Sequence, residues 1–415
     1  MESSNEERDA LGTVSRRGIL KRAAALTAAW STPTPAPAQS GGPIYAYIGT
    51  YTNPPNAGRN GLGIHIYRMD PATGNLTLLK TVADVSPSSL AMHPSGKYLY
   101  ATNEISNFSG PGTSGSVTAY AVDRATGNLT KLNAVTCGGQ GPAYVGVDPS
   151  GKWVFAANYG LPGNFAVVPI NGDGSVGAPT DIQATGGALG PTQAPFRPVG
   201  SFANSAHDTH HGHMAQTDPS GKYVLFTDLG PDRITVWNFD AVAGKVTPTS
   251  QAYIKSLPGG GPRHFSFHPN GRWLYVINEE DATLLFATFD PSNGLLTPVS
   301  FTNTAPPDFR GTIYTSEVGV SPDGRFVYGL NRFFNTIAIF SIDQGTGAPT
   351  LLWNEWTRGD YPRLFQIDPT GNFMYVLNDR NDACTVFRIN KATGALTFTQ
   401  FVGVGSPSGM AFLAT

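Results

Sequence analysis

One hairpin turn occurs six times along this chain, and that repetition constrains the fold more than any other feature. It reads His93-Pro94-Ser95-Gly96, Asp148-Pro149-Ser150-Gly151, Asp218-Pro219-Ser220-Gly221, His268-Pro269-Asn270-Gly271, Ser321-Pro322-Asp323-Gly324 and Asp368-Pro369-Thr370-Gly371. Pro at the second position sets φ, and Gly at the fourth accepts the left-handed exit. Short runs of β-forming residues flank each copy; after His268 the chain continues as Trp273-Leu274-Tyr275-Val276-Ile277. The copies fall 55, 70, 50, 53 and 47 residues apart. A repeat of that length, made of a few strands, predicts an all-β propeller.

A second turn counts the blades independently. It begins at Asp70, Asp123, Asn171, Asp240, Asp290, Asp343 and Asn390, so it occurs seven times against six for the first. The two chain ends resolve the mismatch. Ile44-Tyr45-Ala46-Tyr47-Ile48-Gly49-Thr50-Tyr51 matches the second strand of the hairpin (B) with no first strand (A) before it. Ser406-Pro407-Ser408-Gly409-Met410-Ala411-Phe412 matches Ser86-Pro87-Ser88-Ser89-Leu90-Ala91-Met92, an A strand with nothing after it. Joined, the ends complete one blade and leave no open sheet edge. The expected fold is a seven-bladed β-propeller, one blade closed by the N-terminal and C-terminal strands.

Residues 1–38 read as an address. Ser15-Arg16-Arg17-Gly18-Ile19-Leu20-Lys21 looks like a twin-arginine motif, a mild apolar run follows, and Ala36-Pro37-Ala38 fits a cleavage site. The apolar run is too short to span a bilayer. These features predict bacterial export to the periplasm, leaving one propeller domain over 39–415. The full chain has a formal net charge of −2. That balance points away from nucleic acid and from an anionic membrane surface. Cys137 and Cys384 are the only cysteines and read as buried thiols rather than a disulfide. Neither a zinc-type cysteine spacing nor a phosphate-binding glycine loop is present, and no cofactor is expected.

With the turn as a ruler, equivalent positions line up. Five residues before it stand Ser88, Ala143, His213, Arg263, Ser316 and Arg363. Eleven residues after its first residue stand Glu104, Tyr159, Leu229, Glu279, Arg332 and Asp379, with Tyr51 in the split blade. The start of A and the end of B share one rim, so both columns should meet at one mouth of the channel. One residue before the second column lie Asn103, Asn158, Asp228, Asn278, Asn331 and Asn378, expected to cap the exit from strand B. His213, Arg263, Glu279 and Arg332 form the candidate catalytic group. They offer a base near neutral pH, a carboxylate and two bidentate cations. His211, His264, Glu104, Tyr159, Glu317 and Arg363 are candidate substrate-binding residues.

His207, His210, His211 and His213 lie within seven residues, but the helical spacing of catalytic zinc ligands is absent and no metal is assigned. The long interruption at 172–216 leads into this cluster and is read as a loop over the active face.

His211-Gly212-His213, Asp228-Leu229-Gly230-Pro231-Asp232-Arg233, Gly261-Pro262-Arg263-His264 with Asn278-Glu279, and Ser316-Glu317 with Asn331-Arg332 resemble motifs of the seven-bladed propeller lactonases. That family includes bacterial 6-phosphogluconolactonases and the fungal enzyme that lactonises 3-carboxy-cis,cis-muconate. The resemblance spans nearly all of 43–412. It places His213, Arg263, Glu279 and Arg332 on the muconate enzyme's proposed catalytic positions. It implies a metal-independent carboxylic-ester hydrolase acting on a small gluconolactone-like sugar lactone, with a muconate-type cycloisomerase and a non-catalytic binding propeller as the competing readings.

Overall fold

The computed structural model describes residues 42–204 and 206–415. The export segment expected at 1–38 lies outside the described residues. Among them, seven four-stranded antiparallel sheets form the blades. The strands are lettered A to D from the channel outward. Blade 1 shows the pattern: Pro87–Met92, Tyr98–Asn103, Ser116–Val122 and Leu129–Thr136. Blades 2 to 6 repeat it over 142–184, 212–255, 262–303, 314–356 and 362–403. In blade 7, strand A is the C-terminal Pro407–Ala414 and strand B the N-terminal Ile44–Thr50, followed by Ile64–Met69 and Leu76–Val82. The ring is closed as the sequence predicts.

Each turn is built by its own side chains. Asp148 Oδ1 accepts hydrogen bonds from the backbone N–H groups of Lys152 and Trp153, both at 2.8 Å, and Asp218 and Asp368 repeat this arrangement. Where histidine replaces the aspartate, the ring reaches the next blade. His93 Nε2 meets the Gly151 carbonyl at 2.8 Å and His268 Nε2 the Gly324 carbonyl at 2.9 Å.

Apolar side chains alternate along the strands and pack between neighbouring sheets. Leu225, Val236, Phe265, Val276 and Leu285 are all buried in the seam between blades 3 and 4. A tyrosine on strand B fastens each of five blades to the next. Tyr47, Tyr100, Tyr275, Tyr328 and Tyr375 donate to the carbonyls of Gly127, Gly174, Gly347, Gly394 and Gly74, at 2.6–3.2 Å. Gly127 sits at φ +74°, where a Cβ would meet the Tyr45 ring at 2.5 Å, so glycine is required for the backbone and for the contact.

The asparagine column is structural, and at Asp228 it caps the exit from strand B, where Oδ1 accepts from the Gly230 N–H at 3.2 Å. Asn103 Nδ2 donates to the Val85 carbonyl, while its Oδ1 accepts from Ser116 and Thr118 on strand C. Asn331 and Asn378 likewise bond Thr336 and Thr385 of their own blades. These buried amides cross-link B to C, which satisfies polar atoms at the rim where the ladder ends. Cys137 and Cys384 are both buried free thiols.

Candidate active site

The seven A strands line the channel, and every one is irregular at the same place. Pairing passes from Pro87 to Ser89, Pro142 to Tyr144, Gly212 to Met214, Pro262 to His264, Thr315 to Val318, Pro362 to Leu364 and Pro407 to Gly409. The skipped residues are Ser88, Ala143, His213, Arg263, Ser316 with Glu317, Arg363 and Ser408. An unpaired bulge residue leaves the two-fold alternation of the strand, so its side chain can be re-aimed. Ser88, Ala143, His213, Arg263, Arg363 and Ser408 surround a cavity of about 10 Å³, together with Ser89, His264 and Leu364. That is roughly room for one water molecule.

Below this constriction the channel widens to about 460 Å³ between the A strands. Ser89 and Leu364 border both spaces, and Glu317 is the only ionisable acid or base on the chamber wall apart from the Tyr144 phenol.

Around the constriction, buried charges are paired. Arg263 Nε lies 2.9 Å from Glu279 Oε2, and Arg332 Nη2 lies 2.9 Å from Glu279 Oε1. The Arg263 Nε–H is not well directed at that oxygen, while its Nη1 donates to the Ser316 carbonyl. Arg332 spends its other donors on the wall: Nε on the Tyr314 carbonyl at 3.0 Å, Nη2 on the Thr315 carbonyl at 2.9 Å, and Nη1 on the Tyr361 hydroxyl at 3.2 Å. Burial works against the Glu279 charge, but Arg332 and Arg263 outweigh it and hold its carboxyl below the usual range. Arg363 Nη2 stands 3.6 Å from Glu104 Oε2, the oxygen that accepts from the Tyr51 hydroxyl at 2.8 Å.

His213 is almost fully buried and has one side-chain hydrogen-bond partner among the described residues: its Nδ1 is 3.0 Å from His264 Nε2. His264 Nδ1 is in turn 3.0 Å from both oxygens of Glu317. Burial, followed by Arg263, His264 and Arg363, holds His213 well below the ordinary imidazole value, so it is neutral at pH 7. Tyr159 packs edge-on to His213 at 5.6 Å and stacks on His211 at 4.2 Å.

The histidine cluster does not converge. His211 reaches the Tyr159 carbonyl and Asp208, at 2.8 and 2.7 Å, so both ring nitrogens are engaged. His210 meets Asp228 at 2.8 Å. His207 Nδ1 and Nε2 lie 2.9 and 3.0 Å from Glu280 and Asp232. Among the described residues, no group of three or more histidine, cysteine or acidic side chains is arranged to hold a metal ion.

The long interruption lies on the same rim. Its first part forms strand D of blade 2, Asp181–Ala184, and the crossing proper is 185–211. Gly190, Phe202 and Asn204 donate to the Gly230 carbonyl, Thr312 Oγ1 and the Tyr314 hydroxyl, at 2.8–3.1 Å. His207 bolts the loop to blades 3 and 4. Burial opposes its charge, yet Asp232 and Glu280 raise its pKa to about 9. The folded value exceeds the free value of about 6.5, so the bolt contributes fully below pH 6.5 and is lost as pH rises through 9. Asp281, pushed up to about 7 chiefly by burial, acts in a lower window. It costs stability as pH rises toward 7 and adds little beyond it, so the change above pH 7 belongs to His207. Melting temperature is therefore expected to fall between pH 7 and 10. His207→Asn should melt lower at pH 7 and show a smaller further fall, and a pH dependence identical to wild type would contradict the bolt.

With the geometry in view, comparison places the chain. The sequence profile of the family described as "Lactonase, 7-bladed beta-propeller" matches residues 45–412. The chain belongs to this family. Among its relatives, the 6-phosphogluconolactonase of Formosa agariphila is 31% identical over 78% of this chain and 86% of its own. That of Bacillus subtilis is 30% identical over 78% and 84%. The structure of the Pseudomonas aeruginosa periplasmic gluconolactonase superposes with a TM-score of 0.78 at 28% identity, covering 89% of this lactonase-family propeller and 99% of that chain.

All ten site residues expected from sequence lie in these connected groups, but not all face the mouth. Glu317 sits behind His264, on the chamber side. Ser408 was not among the expected residues. The match of 406–412 to 86–92 was the available signal, since it sets Ser408 on the Ser88 position.

Proposed function

We propose that this protein is an exported lactonase that opens an uncharged sugar lactone of the gluconolactone type. The observation that carries the reading is the pairing of a neutral, buried His213 with the Arg263 guanidinium across a cavity sized for one water. His213 Nε2 takes a proton from that water, and the hydroxyl adds to the lactone carbonyl carbon. The resulting oxyanion is stabilised by Arg263. Collapse breaks the ring C–O bond, and the leaving alkoxide recovers the proton from His213, giving the open hydroxy acid. General base catalysis supplies about 10²- to 10⁴-fold and one placed oxyanion donor ~3 kcal/mol.

Charge balance supports an unphosphorylated substrate. Arg263 and Arg332 share Glu279, and Arg363 faces Glu104 at 3.6 Å. Each of the three guanidiniums already has a carboxylate beside it, which favours a substrate without a phosphate or a second carboxylate. The periplasmic gluconolactonase relative and the twin-arginine pattern at Arg16-Arg17 support action outside the cytoplasm.

A pH-stat assay of the 39–415 protein tests the reading. Glucono-δ-lactone should consume base far faster than in the uncatalysed control, while 6-phosphogluconolactone and 3-carboxy-cis,cis-muconate turn over poorly. Preference for the phosphorylated lactone would overturn the substrate assignment, and preference for the muconate would favour cyclisation. Replacing Arg16 and Arg17 by Lys should retain the precursor in the cytoplasm, and an unchanged periplasmic yield would remove the export assignment. Arg263→Ala should lower kcat by roughly two orders of magnitude, equivalent to ~3 kcal/mol, and also lower the melting temperature, because Glu279 loses a buried partner. Wild-type kcat in that variant would exclude Arg263 as the oxyanion donor.

A further inference from the structure

We propose that His264 and Glu317 are positioning residues for His213: they hold its ring with a proton on Nδ1 and a lone pair on Nε2, and they share the charge when that lone pair is protonated. This rests on the reading of His213 as the base. The argument is one of hydrogen-bond polarity. Glu317 as a carboxylate can only accept, and the backbone N–H of Val318 already donates to its Oε1 at 3.1 Å. His264 Nδ1, at 3.0 Å from both carboxylate oxygens, must therefore carry a proton. In a neutral ring that leaves His264 Nε2 as an acceptor. His213 Nδ1, 3.0 Å away, must then donate, which leaves His213 Nε2 unprotonated. The tautomer a general base needs is thus set two residues away.

The proton balance is complete within the three groups. When Nε2 of His213 takes the proton from water, its Nδ1 proton can pass to His264 Nε2. The imidazolium is then His264, in direct contact with the Glu317 carboxylate. The reverse transfer returns the proton to the leaving alkoxide.

The charged and titratable neighbours of His213 are Arg263, Arg363, His264 and Tyr159. Those of His264 are Glu317, Arg263, Arg363 and Tyr144. Two guanidiniums therefore oppose formation of either imidazolium, and Glu317 is the one anion in contact with the pair. In blade 5 pairing passes from Thr315↔Asn331 to Val318↔Gly329, which leaves one net extra residue as in the other blades, and Glu317 holds the position that His264 holds in blade 4.

The test combines a spectrum of the unaltered protein with kinetics of Glu317→Gln. In ¹⁵N histidine spectra of the 39–415 protein at pH 7, His213 and His264 should both show a protonated Nδ1 and an unprotonated Nε2. A His213 ring protonated at Nε2 instead would overturn the proposal. The Gln amide oxygen can still accept from His264, so Glu317→Gln removes the charge while keeping the bond. On a lactone the wild type hydrolyses, kcat should fall by about 10- to 10³-fold with KM changed less than about threefold. The acid limb of the kcat profile should move to lower pH, because the imidazolium loses its anion. An unchanged kcat and pH profile, with His213→Ala inactive in parallel, would overturn the positioning role alone. An active His213→Ala would instead overturn the base assignment beneath it.

Discussion

Deletion of residues 405–415 is expected to abolish the cooperative unfolding transition. Strand Pro407–Ala414 pairs with Ile44–Thr50 from Ile44↔Ala414 through Thr50↔Pro407, so its loss strips one side of blade 7. Met410 is buried with Ile44, Ala46, Phe373 and Tyr375, and Leu413 with Tyr45, Tyr47, Leu90 and Leu99. Two such core side chains are worth roughly 2–5 kcal/mol each, and the lost ladder bonds add about 1 kcal/mol apiece. That total rivals the ~5–15 kcal/mol that holds a typical domain folded. A circular-dichroism melt of the truncated protein should show no sharp transition. Melting at the full-length temperature would contradict closure by the two ends.

Much of this architecture was legible because the repeat is punctuated by backbone chemistry. Pro and Gly at fixed turn positions mark each A–B hairpin, and the Asp/Asn-led turn marks each C–D hairpin, so counting turns counts blades. The inter-blade fastening was less legible. Tyr100 and Tyr275 fall on one column with Phe155 and Leu225, and only the three-dimensional ring shows the hydroxyls reaching a glycine carbonyl of the next blade.

The site was half legible for a related reason. The ruler aligned Ser88, Ala143, His213, Arg263 and Arg363, but not the unpairing that re-aims them. A bulge is invisible in a strand pattern until the partner's register is known. Glu317, expected among the substrate-binding residues, stands one place past the aligned Ser316, and its carboxylate turns toward His264. Arg332 illustrates a second limit. Its position was readable, but its donors are absorbed by the Tyr314 and Thr315 carbonyls and by Tyr361, which makes it a holder of Glu279. Sequence cannot report which carbonyls a guanidinium will meet.

The central claim is that His213 is the base. It is neutral, nearly inaccessible, hydrogen-bonded at Nδ1 and borders the one-water cavity opposite Arg263. Neighbouring His211 has both nitrogens occupied by Tyr159 and Asp208, so the two histidines are separable by mutation. The decisive measurement is steady-state hydrolysis of glucono-δ-lactone by His213→Ala, with His211→Ala and wild type in parallel. His213→Ala should lower kcat by about two to four orders of magnitude, while His211→Ala stays within roughly tenfold of wild type. Near wild-type kcat in His213→Ala would remove this histidine from the chemistry and leave a carboxylate, Glu279 or Glu104, as the base.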